Sequence, residues 1–467
     1  MASPEVLSSA QPTAGAPLAG HGANALLDSL DRSAFTPMHA RLYVAAALGH
    51  FFDGFDINMM GLVLPGIVAA FALTGAQAGL LASSVFFGMF AGSTLIGFVA
   101  DRYGRRRAMI ASIAAYCVLS LTAAAAWSHT SLFVLRILQG VGLGAEVPLV
   151  FTYLSEFLPM RRRGLLLASS VFFWQGSSFF ASFVAVWIVP AYTWRGMFVV
   201  GALPALLLLA LWARMPESVR FLISKGRLSE AGAIVERLST VDPATAPPVA
   251  RVVAAEPARV HEIVSGSYLR ATLGIWLMQF TGGAVFFGLA IWLPSIFAKM
   301  GFPLVRSFMF TGVITGAGAL GNLVGGALLE RLGRRTTVSM LLGVGGLLML
   351  AWGRATTPGA ILALGALTAL FASGGAGGPL FAYTSEIYPT RFRAVGTGWA
   401  ASWQRIGGIV AAPALGALLS AGVPGYDFFV ALAVVLLVGA IGGYLLGYET
   451  RGQSLEQITA ALSGTRR

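Results

Sequence analysis

Asp53 and Asp56 stand three residues apart in "GHFFDGFDINMMGLVLPGI", residues 49–67, a run otherwise suited to hydrocarbon. An ionisable group at the centre of a bilayer costs about 2.5–3.5 kcal/mol on insertion scales, so a chain keeps one there for a purpose. Burial disfavours the charge on a carboxyl and a neighbouring guanidinium favours it; exchanging such partners swings proton affinity. Arg136 supplies a guanidinium, and Glu146, in "GAEVP", supplies a third acid. Arg405, in "WAASWQRIGGIV", offers a planar fork that grips a carboxylate through two hydrogen bonds. Gln175, Gln279, Trp174, Trp276 and Trp403, with Phe173, Phe280 and Trp399 at a similar depth, offer amides and ring faces that would seat an aromatic anion. This is the chemistry of binding an organic anion and moving protons. It is not an enzyme's: no nucleophile, base and metal cluster assembles from these motifs.

These residues need elements that cross a membrane. The 467 residues are 57% hydrophobic and 11% charged, with a mean hydropathy of +0.78, which fits a polytopic membrane protein and no soluble domain. A crossing takes about 20 apolar residues. Twelve such spans are predicted, at 41–72, 76–99, 108–127, 131–154, 166–189, 194–213, 269–298, 307–329, 336–353, 358–383, 394–420 and 425–447. Period-two alternation is missing and 58 glycines allow close helix packing, so the fold class is an all-α membrane protein rather than a barrel.

The net charge of +12 is topological. Arg102, Arg105, Arg106 and Arg107, then Arg161, Arg162 and Arg163, then Arg331, Arg334 and Arg335, then Arg391 and Arg393 all fall in loops on one side; the other side holds little beyond Arg195, Lys299, Arg306 and Arg354. The positive-inside rule therefore sets both termini in the cytoplasm, and nucleic acid is not the expected partner. Residues 1–40, rich in Ala, Ser, Gly and Pro, read as a disordered cytoplasmic tail without a signal peptide. The lone Cys117 excludes an internal disulfide.

Within the spans, helical depth can be compared at about 1.5 Å per residue. Asp53 lies near the midplane, Asp56 further out at the level of Arg136, and Glu146 deeper toward the cytoplasm. His50, Asp53 and Asp56 share one face. Each residue has a plainer reading beside the functional one. The aspartates could simply pair with Arg136 and lock helix packing; His50 could be a packing histidine. Glu146 could relay protons or bond to backbone freed by Pro148, and Arg405 could form a structural ion pair with Asp53 or Glu146.

The chain repeats itself. "DRYGRRR" at Asp101 matches "ERLGRRT" at Glu330, a shift of 229; Glu156 in "YLSEFLPMRRRG" matches Glu386 in "YTSEIYPTRFRAVG", a shift of 230; Glu217 in "PESVRF" answers Glu449 in "YETRGQ", a shift of 232. Three motifs in one order imply two six-span halves, 41–213 and 269–447, joined by a polar, Pro-rich cytoplasmic linker at 214–268 and followed by a tail at 448–467. The shift carries Asp53 and Asp56 to Gly283 and Phe286, which confines proton chemistry to the first half.

"GFVADRYGRRR", "RILQGVGLGAEVPLVFTYLSEFLPMRRRG", "PESVRFLISKGR" and "YETRGQSLEQI" resemble the signature segments of major facilitator superfamily transporters. Within that superfamily, "DGFD" and "WLP" at Trp292–Pro294 are similar to the aromatic acid/proton symporters, and "LDRSAFTPMHARLYVAAALGHFFDGFD" with "GAEVP" to the neighbouring niacin and organic-ion carriers. The sugar-porter pattern of paired glutamines is missing, since "LMQFTGGAVFF" offers only Gln279. The resemblance implies alternating access. Asp101, Arg102, Arg105, Glu156 and Arg163, with Glu330, Arg334, Glu386 and Arg393, would then act as cytoplasmic latches between the halves, or mark topology alone. "GVGLGAE" is a packing face in the fourth span and not a phosphate loop, so transport needs no cofactor and draws on a gradient.

The expectation is a monomeric, proton-coupled importer of a small aromatic or heteroaromatic carboxylate (benzoate, hydroxybenzoate or nicotinate type) in a bacterial inner membrane. Its partners would be that anion, protons and the lipid bilayer. The alternatives are a carrier or exporter of other organic ions and, from another class, a metabolite receptor without flux.

Overall fold

The computed structural model describes residues 17–241, 260–264, 266, 268–388, 393–453, 457, 458, 461 and 462. Its elements are helices: α1 (Pro17–Arg32), α2 (Pro37–Phe71), α3 (Gly75–Tyr103), α4 (Arg105–Ala124), α5 (His129–Phe157), α6 (Met160–Ala213), α7 (Val219–Ser224), α8 (Leu228–Leu238), α9 (Val260–Ile263), α10 (Tyr268–Lys299), α11 (Leu304–Leu332), α12 (Arg334–Gly353), α13 (Pro358–Thr368), α14 (Ala376–Ile387), α15 (Arg393–Ser420) and α16 (Gly425–Leu446). A π-helical turn, Ala369–Gly375, joins α13 to α14 into one crossing.

Ten of the described helical stretches are long and apolar enough to cross a membrane. One of them, in α6, holds the fifth and sixth predicted spans, separated where Thr193 takes φ 60° and ψ −169°, a backbone region that L side chains rarely enter. α15 falls outside the ten because Trp403, Gln404 and Arg405 make it polar, yet it packs along α10 and α3 like the rest. The twelve-helix membrane fold in two halves is as the sequence implies.

Local chemistry sets the helix starts. Thr36 caps α2, with Pro37 in its first turn and His39 Nδ1 accepting from the Thr36 amide at 3.1 Å. Thr74 with Gln77, and Ser128 with Ser131, form the same reciprocal box at α3 and α5.

The expected disordered tail through residue 40 does not hold from Pro17 onward. α1 lays Leu30 into the core, Ser29 donates to Ser239 at 2.6 Å and to the Val241 carbonyl at 2.7 Å, and Asp31 pairs with Arg163. Its low hydrophobicity hid an amphipathic helix whose partner, α8, lies in the linker. Residues 1–16 and 242–259 lie outside the described residues.

The halves meet tightly on the face away from the arginine-rich loops. Gly75 and Gly416 stand so close that a Cβ on either would strike the other's carbonyl, and the Gly75 amide donates to Ser420 at 2.8 Å. Gly61 likewise rests on the Ala290 carbonyl, and Gly316 on the Phe179 ring. Small residues at these crossings let backbones approach.

Candidate binding and coupling site

Arg136 Nη1 donates to Asp56 Oδ1 at 2.7 Å, and Gln139 Nε2 donates to Asp56 Oδ2 at 2.7 Å. Arg136 also donates to Gln139 Oε1 at 2.8 Å, and Ser120 reaches Asp56 Oδ2 at 3.4 Å. All four side chains are buried, and the guanidinium carbon lies 5.7 Å from the centre of the Phe198 ring. The depth comparison between the first and fourth spans therefore led to a real contact. Gln139 and Ser120 were missed; the available signal for Gln139 was its place one turn beyond Arg136 on the same face.

Asp53 sits differently. Trp174 Nε1 donates to its Oδ2 at 3.1 Å, while Oδ1 has no partner in a fully buried setting. Trp174, expected as part of the substrate slot, is thus the hydrogen-bond donor to an acid. Glu146 is buried with neither oxygen hydrogen-bonded, so bonding to backbone near Pro148 is not realised. Its carboxylate occupies the hollow left by the absent side chain of Gly49, one helical turn from Asp53. His50 packs edge-on against Phe151 at 5.7 Å and beside Trp174 at 6.4 Å.

Register places Arg405 opposite Asp53. Since α2 and α10 run in parallel and Gly61 touches Ala290 and Ile291, stepping back along both helices brings Asp53 level with Gly283; Gly283 in turn touches Gln404. Arg405 lies within Coulombic range of Asp53 and, among the described residues, makes no hydrogen bond or ion pair. The structural ion pair weighed in the sequence is therefore not formed here.

The aromatic residues divide into two groups. Trp276 stacks on Trp403 at 5.3 Å with Trp399 at 6.2 Å, and Phe280 meets Trp403 edge-on at 6.3 Å. Trp174 stacks on Phe286 at 6.0 Å. Trp276 and Phe286 are ten residues, about 15 Å, apart along α10. The single slot expected from sequence is instead a pair of clusters with Arg405 between their levels, because helical period fixes a face but not the spacing of groups along it. Among the described residues, the indole nitrogens of Trp276 and Trp403 and Oε1 of Gln279 are buried without partners, and Gln279 Nε2 reaches only Thr384 at 3.4 Å. Phe173 is 42% exposed and joins neither cluster.

Gln175 is engaged. It accepts from Asn322 of α11, whose own Oδ1 takes the Gly378 amide at 3.1 Å, so one asparagine ties the first half to the turn after the π-helical segment. Sequence reading missed Asn322, a lone polar residue in an apolar span.

The motif charges pair within halves. Arg105 contacts Asp101 at 3.1 Å and Glu156 at 3.4 Å, and Glu156 accepts from Ser218. Arg334 grips Glu386 at 2.9 and 3.0 Å, and Thr450 donates to Glu386 at 2.7 Å. Glu217 accepts the Arg106 amide at 3.0 Å, as Glu449 accepts the Arg334 amide at 2.7 Å. Gly104 and Gly333 hold φ of 101° and 92° at the two turns, conformations that exclude a side chain.

On the same face, Arg163 bonds to Asp31 and the Leu158 carbonyl, and Arg393 donates to the Tyr388 carbonyl at 3.3 Å. Among the described residues these charges make no ion pair across the halves, Arg102 lying over Tyr103 and Glu330 being exposed; a cytoplasmic latch belongs to the outward-open state. Chain proximity favours partners in the same half, since each motif's turn and the following helix end are carried by one bundle.

Residues 42–462 match the family of sugar (and other) transporters. The chain is 31% identical to the niacin transporter NiaP of Acinetobacter baylyi over 93% of this chain and 99% of that one. It is also 31% identical to the gallate transporter of Pseudomonas putida, over 79% and 83%. The crystal structure of a D-xylose-proton symporter superposes with a TM-score of 0.72 at 19% identity, covering 89% of this chain and 99% of that one, a likeness of fold. The chain belongs to this family within the major facilitator superfamily. It is a multi-pass membrane transporter and not an enzyme.

Proposed function

We propose that the protein imports a small aromatic or heteroaromatic carboxylate with protons, by alternating access in a bacterial inner membrane with both termini cytoplasmic. The observation that carries the reading is Arg405: a guanidinium deep in the bundle, without an acid bonded to it, level with Asp53 and between two aromatic clusters. A carboxylate satisfies that fork in two hydrogen bonds, and the rings offer stacking surface. Relatives named for niacin and gallate transport support the substrate class.

Coupling follows from charge. While Asp53 is ionised it competes with the substrate's carboxylate for Arg405; once protonated it leaves the guanidinium to the substrate. Proton and substrate then favour each other's binding by the same factor. Neither can be released alone without cost. The buried Asp56–Arg136–Gln139 cluster keeps a second carboxylate fixed next to this pair. The closed packing at Gly75–Gly416, on the face opposite the arginines, supports an inward-facing state.

The test is uptake into proteoliposomes of radiolabelled nicotinate, benzoate, 4-hydroxybenzoate, gallate and xylose, with and without an inward proton gradient. The reading expects at least one aromatic acid to accumulate under the gradient and to show counterflow without it. Counterflow of xylose alone, or of none of the acids, overturns it; binding without counterflow would make the chain a receptor.

A further inference from the structure

A cavity of about 430 Å³ opens on the arginine-rich face, far from the coupling site, where the first turns of α10 and α12 meet the end of α16. Arg270 and Arg335 line it with Tyr448, Glu449 and Gln453. Arg270 Nη2 donates to the Leu445 carbonyl at 2.5 Å, and among the described residues the rest of its fork makes no hydrogen bond. Arg335 lies 4.5 Å over the Tyr444 ring, and its buried Nε has no acceptor. Among the described residues the cavity's one carboxylate, Glu449, already takes backbone amides of Arg334, Thr450 and Arg451 at 2.7, 3.0 and 3.1 Å. Two guanidiniums therefore face a space whose acid is committed elsewhere. Donors in that arrangement suit a phosphate group, which brings several acceptor oxygens and a negative charge.

The setting narrows the source of that phosphate. Beside the cavity, Leu269 and Leu273 on α10 and Ile441, Tyr444 and Leu445 on α16 are exposed and one helical turn apart on their own helices. They form an apolar strip leading from the charged cavity toward the hydrocarbon layer, and α10 and α16 pack against each other along it. Basic pockets between membrane helices on the cytoplasmic side are suited to anionic headgroups. We propose that this cavity binds the phosphate headgroup of an anionic lipid, its acyl chains lying along that strip. Because Glu449 also orders the turn that carries Arg334, the lipid would sit against the second-half ion-pair cluster.

Purified full-length protein titrated with phosphatidylglycerol, phosphatidylcholine or inorganic phosphate, and read by native mass spectrometry, tests this. An arginine near an anionic headgroup is worth about fivefold in affinity. The Arg270→Gln and Arg335→Gln variants should each weaken phosphatidylglycerol binding by about that factor. Arg107→Gln, an exposed arginine elsewhere on the same face, should leave it near the parent value. Arg270→Lys should retain part of the binding, and every variant must elute as the parent does to count as folded. Equal binding of phosphatidylglycerol and phosphatidylcholine by the parent, or parent-like affinity in both glutamine variants, overturns the site. Saturation by inorganic phosphate with no added gain from phosphatidylglycerol overturns the lipid as its source.

Discussion

Arg136 and Asp56, 80 residues apart in the chain, meet at 2.7 Å with neither side chain reached by solvent. Removing one partner from such a pair strands a buried charge, at a cost of about 3–5 kcal/mol. Arg136→Gln should therefore destabilise the folded protein by roughly that amount. The double variant Arg136→Gln with Asp56→Asn should cost clearly less than the sum of the two single changes. Denaturant unfolding in detergent measures both; strict additivity would mean that the pair is not coupled.

Asp53 differs from Asp56 in having one oxygen without a partner and no guanidinium bonded to it. Asp53→Asn should retain exchange of labelled substrate across proteoliposomes while losing accumulation against a gradient, because a neutral amide cannot cycle a proton. In the parent, accumulation should rise as the outside is made more acidic than the inside, and the variant should show no such dependence. If Asp53→Asn concentrates substrate as the parent does, the coupling acid is Asp56 or Glu146.

Arg405→Lys keeps the charge but loses the fork. Its affinity for an aromatic carboxylate should fall by about tenfold or more, the loss of one charge-assisted hydrogen bond. Isothermal titration of purified protein reads this directly. Unchanged affinity in Arg405→Ala would move the anion site to another guanidinium.

Much of this was legible in the sequence, for a physical reason in each case. Charge in hydrocarbon is expensive, so Asp53, Asp56, Arg136 and Arg405 announced themselves, and rise per residue brought Asp56 to the depth of Arg136. Repetition at a shift near 230 gave the two halves and aligned Glu156 with Glu386. Contacts between distant spans were not legible. Nothing in the chain assigned Asn322 to Gln175, divided the tryptophans into two clusters, or folded Pro17–Arg32 onto α8. Neutral polar residues carry too little insertion cost to stand out, and the tail's partner lies more than 200 residues away.

The two motif acids should behave unequally. Asp101 is 74% exposed on its side chain and, among the described residues, bonds only to Arg105, one turn on, a surface pair worth at most about 1 kcal/mol. Glu156, 7% exposed, joins Arg105 at the start of α4 to Ser218 beyond α6, so it ties the ends of α4 and α5 and the start of the linker into one body. A charge-assisted bond in that setting is worth about 1.5–3 kcal/mol, on the order of tenfold or more in a two-state population. Glu156→Gln should therefore slow transport and change the reactivity of cysteines placed at the arginine-rich ends of α5 and α14, in a Cys117→Ser background. Asp101→Asn should stay within a fewfold of the parent in both measurements. Glu386→Gln, which breaks the two-nitrogen grip of Arg334, should resemble Glu156→Gln. Were Asp101→Asn instead to expose both helix ends as strongly as Glu156→Gln, Asp101 would have to bond across the halves in another state of the cycle, because a contact shifts an equilibrium only through the state in which it is made.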